Sequence, residues 1–151
     1  MLTLRRASMA LHPANTSTDI DLYDIAAGLA ATTHHVCLDD GDATRRFARV
    51  LSTSEYDAWI IRWSESAELG LHDHGNSTGI VHVVDGELVE TRVDEHHPTS
   101  QLRSRTLRQG DVARIDPNTI HAVANVHRTE ALSVHVYSPP LSQMTFYDVH
   151  P

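Results

Sequence analysis

The spacing of hydrophobic residues changes once along the chain, near Arg45. Before that point, apolar side chains recur at helical spacing and predict one helix over about 19–31, with Thr18 as its N-terminal cap. After it, short runs rich in β-branched and aromatic residues alternate with Gly-, Pro- and Asp-containing turns. The predicted strands are 47–51, 58–63, 79–84, 87–93, 102–107, 112–115, 122–126 and 132–137. Many short strands with one helix predict an all-β sandwich or barrel.

Length and composition add the expectation of one domain. The 151 residues have a mass of 16.8 kDa and are 40% hydrophobic, which is enough to bury a core. We find no internal repeat and no low-complexity segment. We therefore expect a single domain over 1–151, with an N-terminal helical arm at about 1–44 and a barrel at about 45–141.

Charge and residue usage exclude several classes of function. The formal net charge is -8, which argues against a nucleic-acid partner. All 12 basic residues are arginines, so lysine Schiff-base chemistry and a P-loop are excluded. No apolar run is long enough for a signal peptide or a membrane span. The one cysteine, Cys37, predicts no internal disulfide and favours the cytoplasm. We expect Cys37 to be buried or half-buried and to have no role.

Three of the 12 histidines form a pattern that suits a metal ion. His72 and His74 are two residues apart, and on a strand such residues face the same side, so both imidazoles can reach one point. That pair alone is weak support, because such pairs occur often by chance. His121 follows the turn at Asp116-Pro117-Asn118 and supplies a third candidate ligand. The histidines in loops and near the tail read as surface residues, and Trp59, Trp63, Leu69 and Leu71 read as core.

These histidines also carry a family resemblance. Gly70-x-His72-x-His74, followed by Gly86, resembles the first cupin motif. The second cupin motif has its counterpart in Gly110, Pro117, His121 and Asn125, which resemble it except that Pro117 is one residue closer to His121 than usual. The first motif normally has a glutamate ligand four or five residues after its second histidine, where this chain has Thr78 and Gly79. Three histidines without a carboxylate are the pattern of the thiol dioxygenases.

A more specific resemblance lies in the last predicted strand. The segment 132–141, with the sequence LSVHVYSPPL, resembles the signature of the cysteine dioxygenases, and the resemblance runs over about 47–141. It implies a hydrogen-bonded relay of Ser133, His135 and Tyr137 beside an iron ion, and strand alternation puts all three on one face. It also implies that Arg49 pairs with the substrate carboxylate and that Tyr137 contacts the substrate. Arg45 and Arg46 are rivals of Arg49.

The resemblance implies a complete activity as well as a cupin barrel. One Fe(II) per chain would be held by His72, His74 and His121, and L-cysteine would be oxidised by O₂ to cysteine sulfinic acid. In animal members of the family, a cysteine at the position of Gly79 is crosslinked to the tyrosine. Because glycine stands there and Cys37 lies outside the motif, we expect an active site without that crosslink.

Two alternatives remain open at this stage. A 3-mercaptopropionate dioxygenase must also hold a carboxylate, but members of that branch tend to have glutamine at the position of Arg49. A non-catalytic cupin that binds zinc or a small ligand would keep the three histidines without needing the relay. The expected oligomeric state is a monomer or a weak homo-oligomer.

Overall fold

The strands of this chain form two antiparallel sheets with one helix against the larger sheet. The computed structural model describes residues 21–33, 36–94 and 101–148. In chain order, its elements are α1 (Leu22–Ala30), β1 (Asp40–Gly41), β2 (Arg45–Ser52), β3 (Asp57–Trp63), β4 (Glu68–Asp73), β5 (Thr78–Asp85), β6 (Glu87–Asp94), β7 (Gln101–Arg108), β8 (Val112–Ile115), β9 (His121–Ala124), β10 (Ala131–Ser138) and β11 (Thr145–Phe146). The larger sheet has the order β1-β2-β3-β10-β5-β8, and the smaller has the order β11-β4-β9-β6-β7. The prediction of an all-β fold with one helix is confirmed.

The helix begins later than the sequence pattern predicts. Asp21 is the N-cap, and its carboxylate accepts hydrogen bonds from the backbone N–H groups of Tyr23 (2.9 Å) and Asp24 (3.4 Å). An Asp at this position satisfies donors that a helix start leaves unpaired, which fixes where the helix begins. Thr18, the expected cap, lies outside the described residues. The helix ends at Ala30, one residue before the predicted end.

Two apolar layers explain why the central strand β10 is buried on both faces. One layer contains Val134 and Val136 and packs between the larger sheet and α1. The other lies between the two sheets and includes Trp63, Val81, Leu88 and Ile115, all at most 1% exposed. Because side chains alternate along a strand, Ser133, His135 and Tyr137 point away from the helix and into the space between the sheets. This alternation puts three polar groups inside the barrel.

Three strands were not among the predicted ones. β1 and β11 have only two residues each, too few for periodicity to detect. β4 has the sequence ELGLHD, in which Gly70 and the two polar ends hide the strand pattern. β1 pairs with β2, and β11 pairs with β4, so the sheets include residues on both sides of the 45–141 span. Among the described residues, no helix has both the length and the apolar character to cross a membrane.

Candidate metal centre and active site

The three candidate ligands meet on the inner side of the smaller sheet. His72 on β4 is paired directly with His121, the first residue of β9, and His74 follows the end of β4. All three are buried, with at most 3% of each residue exposed. Their candidate ligand atoms all lie within 4.8 Å of one another. The pairing of β4 with β9 therefore brings His74 close to His121, which lies 47 positions later in the chain.

Hydrogen bonds on the far side of two rings fix which nitrogen faces the common point. Nδ1 of His72 donates to the carbonyl oxygen of Gly70 at 2.7 Å, and Nδ1 of His121 donates to Oε1 of Glu90 at 3.1 Å. A carbonyl and a carboxylate can only accept, so each Nδ1 carries a proton and Nε2 is the nitrogen left for a metal ion. Nε2 of His74 lies 3.0 Å from Nε2 of His72 and 3.5 Å from Nε2 of His121.

The charge state of this cluster also suits a metal ion. Burial lowers the pKa of His72 to about 4 and that of His74 to about 3, so both are neutral near pH 7. Unprotonated nitrogens 3.0 Å apart repel each other unless a cation or a proton lies between them. Three neutral imidazoles are a donor set that iron, zinc and other first-row transition metals accept. The residues present therefore fit a divalent ion of this class.

The turn after β4 aims His74 back toward the site. Gly75 has a φ of 56°, in the left-handed region that favours glycine. Its N–H donates to Oδ1 of Asp73 at 2.8 Å, and the Tyr147 hydroxyl donates to Oδ2 of Asp73. The hydrogen bond from Tyr147 is the main reason why the pKa of Asp73 is lowered. Asp73 thus ties the turn to the chain after β11, and it is not one of the ligands.

A chain of hydrogen bonds on β10 leads toward the histidines. Nε1 of Trp63 donates to Oγ of Ser133 at 2.9 Å, and Ser133 is 2.9 Å from Nε2 of His135. An indole N–H can only donate, so the Ser133 hydroxyl accepts from Trp63 and uses its own hydrogen toward His135. Nδ1 of His135 then carries the proton and donates to the Tyr137 hydroxyl at 3.2 Å. The Tyr137 hydrogen is therefore free to point toward the cluster.

Both titratable members of this relay are neutral. Burial lowers the pKa of His135 to about 3, and burial, followed by the charge of Asp57, raises the pKa of Tyr137. The Tyr137 ring centroid lies 4.7 Å from that of His74, so the relay on the larger sheet touches the cluster on the smaller sheet. A neutral phenol at this place can donate a hydrogen bond into the site.

A small cavity opens beside Tyr137. Its volume is about 170 Å³, which is below the usual range of drug-sized pockets and suits a molecule of a few heavy atoms. The lining is mostly apolar and contains one charged side chain among the described residues: Arg45, Phe47, Trp59, Ile61, Leu69, Tyr137, Leu141 and Met144. The Arg45 guanidinium carbon lies 5.8 Å from the Trp63 ring centroid and 6.0 Å from that of Phe47. The cavity thus combines one cation with the relay tyrosine.

Comparison with known proteins identifies the family. The family model for cysteine dioxygenase type I matches residues 26–150. The chain belongs to the cysteine dioxygenase type I family. One relative, cysteine dioxygenase type 1 of Rattus norvegicus, is 32% identical over 100 residues, covering 62% of this chain and 50% of the rat protein. The human protein of the same name is 30% identical over the same shares. The chain thus spans about half the length of these relatives.

Solved structures identify the fold of this cysteine dioxygenase family member. The cupin domain of Schizosaccharomyces pombe Cnp3 has a TM-score of 0.58 at 10% identity, covering 69% of this chain and 64% of that one. KdgF from Halomonas sp. has a TM-score of 0.60 at 20% identity, covering 70% of this chain and 88% of that one. At such low identities the likeness concerns the fold alone, and it confirms the predicted cupin barrel.

The structure brings most of the predicted site residues together and separates one of them. His72, His74 and His121 form the cluster, and the relay Ser133, His135 and Tyr137 adjoins it. Arg49 lies elsewhere. It is exposed, its guanidinium carbon is 5.6 Å from the Trp59 ring centroid, and it lines a different cavity together with Cys37 and Asp39. Its predicted contact with a substrate carboxylate stays a prediction, while its rival Arg45 lines the cavity of Tyr137.

Two contacts were not anticipated by sequence reasoning. Glu90 is 1% exposed and accepts a hydrogen bond from His121, and Trp63 is a core residue that also donates to the relay. The signal for Glu90 was present in the alternation of β6, because Glu90 has the same phase as the buried Leu88. A carboxylate at a core-facing position is costly unless it has hydrogen-bonding partners. A buried acidic residue is therefore a candidate for a functional site. Trp63 gave no such signal, because tryptophan is common in cores.

Two further expectations concern single residues. Gly79 is paired directly with Tyr137 across β5 and β10, and a Cβ atom at this position would lie 3.1 Å from Cε1 of Tyr137. The absence of a side chain at Gly79 is therefore matched to the ring of Tyr137. The expectation that Cys37 is buried or half-buried is wrong, because Cys37 is exposed in the segment before β1. Trp59 and Leu69 line the cavity, although both were expected to be only core residues.

Proposed function

We propose that this chain is an iron(II)-dependent thiol dioxygenase that adds both atoms of O₂ to the sulfur of L-cysteine and so forms cysteine sulfinic acid. The observation that carries the proposal is the convergence of His72, His74 and His121 beside the relay that ends at Tyr137. The name of the rat and human relatives agrees with the substrate. Reaction of R–SH with O₂ to give R–SO₂H balances without another reductant.

The ligand set supports a thiol substrate through its charge. Bound iron(II) would supply a Lewis acid that favours the thiolate form of the substrate and a redox centre for O₂. His72 and His74 are neutral, and none of the three ligands is a carboxylate that would offset the charge of the ion. Anionic sulfur is therefore favoured over neutral sulfur at this centre. A non-catalytic cupin would not need the relay as an additional buried polar chain.

The relay supports an orienting role for Tyr137. Because Trp63 can only donate, each hydrogen bond in the relay runs in one direction, and Tyr137 is left as the donor at its end. Its hydroxyl would donate to the substrate carboxylate or to oxygen atoms added to sulfur. The raised pKa of Tyr137 keeps the proton on the phenol across the neutral pH range.

We assign the substrate carboxylate to Arg45 in preference to Arg49. Both arginines were candidates, but Arg45 lines the cavity shared with Tyr137, and Arg49 lines another. A guanidinium can bind a carboxylate with two parallel charge-assisted hydrogen bonds. The ring faces of Phe47 and Trp63, at 6.0 and 5.8 Å from the Arg45 guanidinium carbon, support the cation where a carboxylate would meet it.

The central test couples metal content with product identity. Iron-loaded protein is incubated anaerobically with L-cysteine, O₂ is added, and the product is identified by mass spectrometry. We expect cysteine sulfinic acid from the wild type and loss of both iron and product in His121→Ala. His127→Ala is the control, since His127 lies outside the cluster and contacts Glu87 on the surface. Iron-loaded wild type that makes no sulfinate from any small thiol would support the non-catalytic cupin instead.

A second test separates the two arginines and the two substrates. Removal of a charge-assisted hydrogen bond costs about 1.5–3 kcal/mol, so Arg45→Gln should lower kcat/KM for cysteine roughly 10- to 150-fold. Arg49→Gln removes the same charge from the neighbouring cavity and should leave kcat/KM within about twofold. Oxygen uptake with 3-mercaptopropionate is measured in parallel. Faster turnover of that thiol than of cysteine would contradict the proposed substrate.

A further inference from the structure

We propose that Glu90 is a positioning residue that supplies, through His121, the negative charge that the three-histidine ligand set lacks. The proposal rests on the metal centre of the proposed function. Nothing in the sequence motifs assigns Glu90 a role, because it lies on β6, between the two motifs that carry the ligands.

Three hydrogen bonds fix the position of the Glu90 carboxylate. The residue is 1% exposed, and its Oε1 is 3.1 Å from Nδ1 of His121 and 2.9 Å from Nε of Arg92. Its Oε2 is 2.6 Å from Nε of Arg105. A buried carboxylate is costly unless it is paired and hydrogen-bonded, and this one meets three donors on two oxygens. One of the three donors, His121, is a candidate metal ligand.

Glu90 acts from behind the ring and is not itself a ligand. It bonds to Nδ1 of His121, whereas the cluster is formed by nitrogens that include Nε2 of His121 on the other side of the ring. Its carboxylate does not belong to the group whose ligand atoms converge. A carboxylate that accepts from the outer N–H of a metal-binding histidine fixes the tautomer and the ring orientation, and it makes the ligating nitrogen more basic.

The three candidate ligands differ in what the outer nitrogen of each ring contacts. The outer nitrogen of His72 meets a neutral carbonyl, that of Gly70. The outer nitrogen of His74 is buried and has no hydrogen-bonding partner among the described residues. Only His121 is backed by an anion. Glu90 should therefore make His121 the strongest donor of the three and favour the more highly charged oxidation state of a bound iron ion.

Sheet register connects this carboxylate to the protein surface. In the pairing of β6 with β7, Glu90 lies opposite Arg105, and in the pairing of β6 with β9, Arg92 lies opposite His121. The Arg105 side chain is 50% exposed although its Nε reaches the buried carboxylate. A surface substitution can therefore change the charge balance of Glu90 without opening the core. Arg103, two residues away on the same face, bonds to Asp94 instead.

The first experiment measures metal affinity without any substrate. Apoprotein is titrated anaerobically with Co(II), followed by its visible absorption bands, for the wild type, Glu90→Gln and Glu87→Gln. Glu87 is the control because it is on the same strand but contacts Arg108 and His127 at the surface. We expect a 10- to 100-fold weaker affinity in Glu90→Gln and no change in Glu87→Gln. Equal Co(II) affinity in folded Glu90→Gln and wild type would overturn the proposal.

The second experiment uses the sign of a redox shift to separate an electrostatic role from a structural one. The Fe(III)/Fe(II) midpoint potential of iron-loaded protein is measured for Glu90→Gln, Arg105→Gln and the control Arg103→Gln. Loss of the Glu90 charge should raise the potential. Loss of the Arg105 charge should lower it, because Glu90 then interacts more strongly with His121. Shifts of the same sign in both variants would contradict the proposal, since damage to the fold does not depend on the sign of the charge removed.

These outcomes stay separable from those for the proposed function. Should Glu90→Gln fail to fold, Arg105→Gln at its half-exposed position still decides the question, and a potential equal to that of Arg103→Gln overturns the inference. If the wild type forms no sulfinate but the variants show the expected changes in Co(II) affinity and midpoint potential, the proposed activity is refuted and the role of Glu90 is supported. If the wild type forms sulfinate but the variants show neither change, the proposed activity is supported and the role of Glu90 is refuted.

Discussion

The pairing of Gly79 with Tyr137 allows a sharp prediction for the substitution Gly79→Cys. A Cβ atom at Gly79 would lie 3.1 Å from Cε1 and 3.3 Å from Cδ1 of Tyr137, and 3.5 Å from Cβ of Ile115. The first two distances are tight for van der Waals contact, so the new side chain pushes on the ring. Overpacking of this kind costs about 1–3 kcal/mol, of which removal of a strand glycine returns about 0.5–1 kcal/mol. The freshly purified variant should therefore be less stable than the wild type.

Turnover should reverse the sign of that effect. The thiol of Gly79→Cys would be placed beside Cε1 of Tyr137, where the family resemblance locates a thioether. With iron and O₂, one S–C bond would form, the thiol and ring hydrogens would be lost, and O₂ would be reduced to hydrogen peroxide. A crosslink between positions 79 and 137 lowers the conformational entropy of the unfolded chain. In the entropic treatment of crosslinks, this raises the free energy of the unfolded state by about 4 kcal/mol. The crosslinked variant should then be more stable than the wild type by roughly 1.5–4 kcal/mol.

Intact mass and unfolding measured before and after turnover test this reasoning. We expect a mass decrease of two hydrogens, with a peptide map that joins positions 79 and 137, and a rise in Tm of about 2–4 °C for each kcal/mol gained. Gly79→Ser is the control, because it adds a side chain of similar size but no thiol, and its mass and Tm should not change on turnover. An unchanged mass of Gly79→Cys after many turnovers would refute the placement of Cε1 next to this position.

Three further predictions follow from the buried polar groups. The pKa of His135 is about 3 in the fold against 6.5 unfolded, so between these values the unfolded chain binds the extra proton and stability falls as the pH falls, by about 1.4 kcal/mol per pH unit. In metal-free protein, His135→Asn should remove that part of the slope between about pH 5 and 6, and an equal slope would contradict the buried neutral ring. Trp63→Phe loses the donor to Ser133 but keeps an aromatic ring beside the Arg45 guanidinium, so kcat should fall roughly two- to tenfold while KM changes little. Asn125→Ala removes a 1% exposed amide that bonds to the carbonyls of Trp63, Ser64 and Thr129, so urea unfolding should show a loss of roughly 1–3 kcal/mol, and a loss below about 0.5 kcal/mol would refute that role.

Strand alternation made much of this site predictable. Ser133, His135 and Tyr137 share one face of β10 by simple period-two counting, and their burial follows from the position of β10 between β3 and β5. The pair His72 and His74 was detectable for the same reason. His121 required the motif resemblance, because nothing in its local sequence shows that β9 pairs with β4. The cupin fold itself followed from many short strands together with those motifs.

Period-two alternation cannot decide between Arg45 and Arg49. Arg45, Phe47 and Arg49 have the same phase on β2, so alternation cannot tell which arginine faces the site. Register decides it, because Arg45 lies opposite Trp63 and Arg49 lies opposite Trp59, with a bulge between Arg49 and Leu51. Bulges and register depend on pairing between distant segments. They are therefore properties of the sheet that no single strand encodes.

Under the proposed function, the charges around the centre favour a substrate with two anionic groups. His72, His74 and His135 are neutral, so a bound divalent ion and Arg45 leave two separate positive regions, one at the cluster and one in the cavity. A small thiol with a carboxylate would match both, because its sulfur would meet the ion as a thiolate and its carboxylate would meet the guanidinium. No acidic side chain lines the cavity among the described residues, so an amine on the substrate would have no carboxylate to pair with there and would be left to bind the metal ion. Selection of cysteine over a thiol without an amine would then depend on how strongly the ion attracts that neutral nitrogen, and hence on the electron density that His121 receives from Glu90.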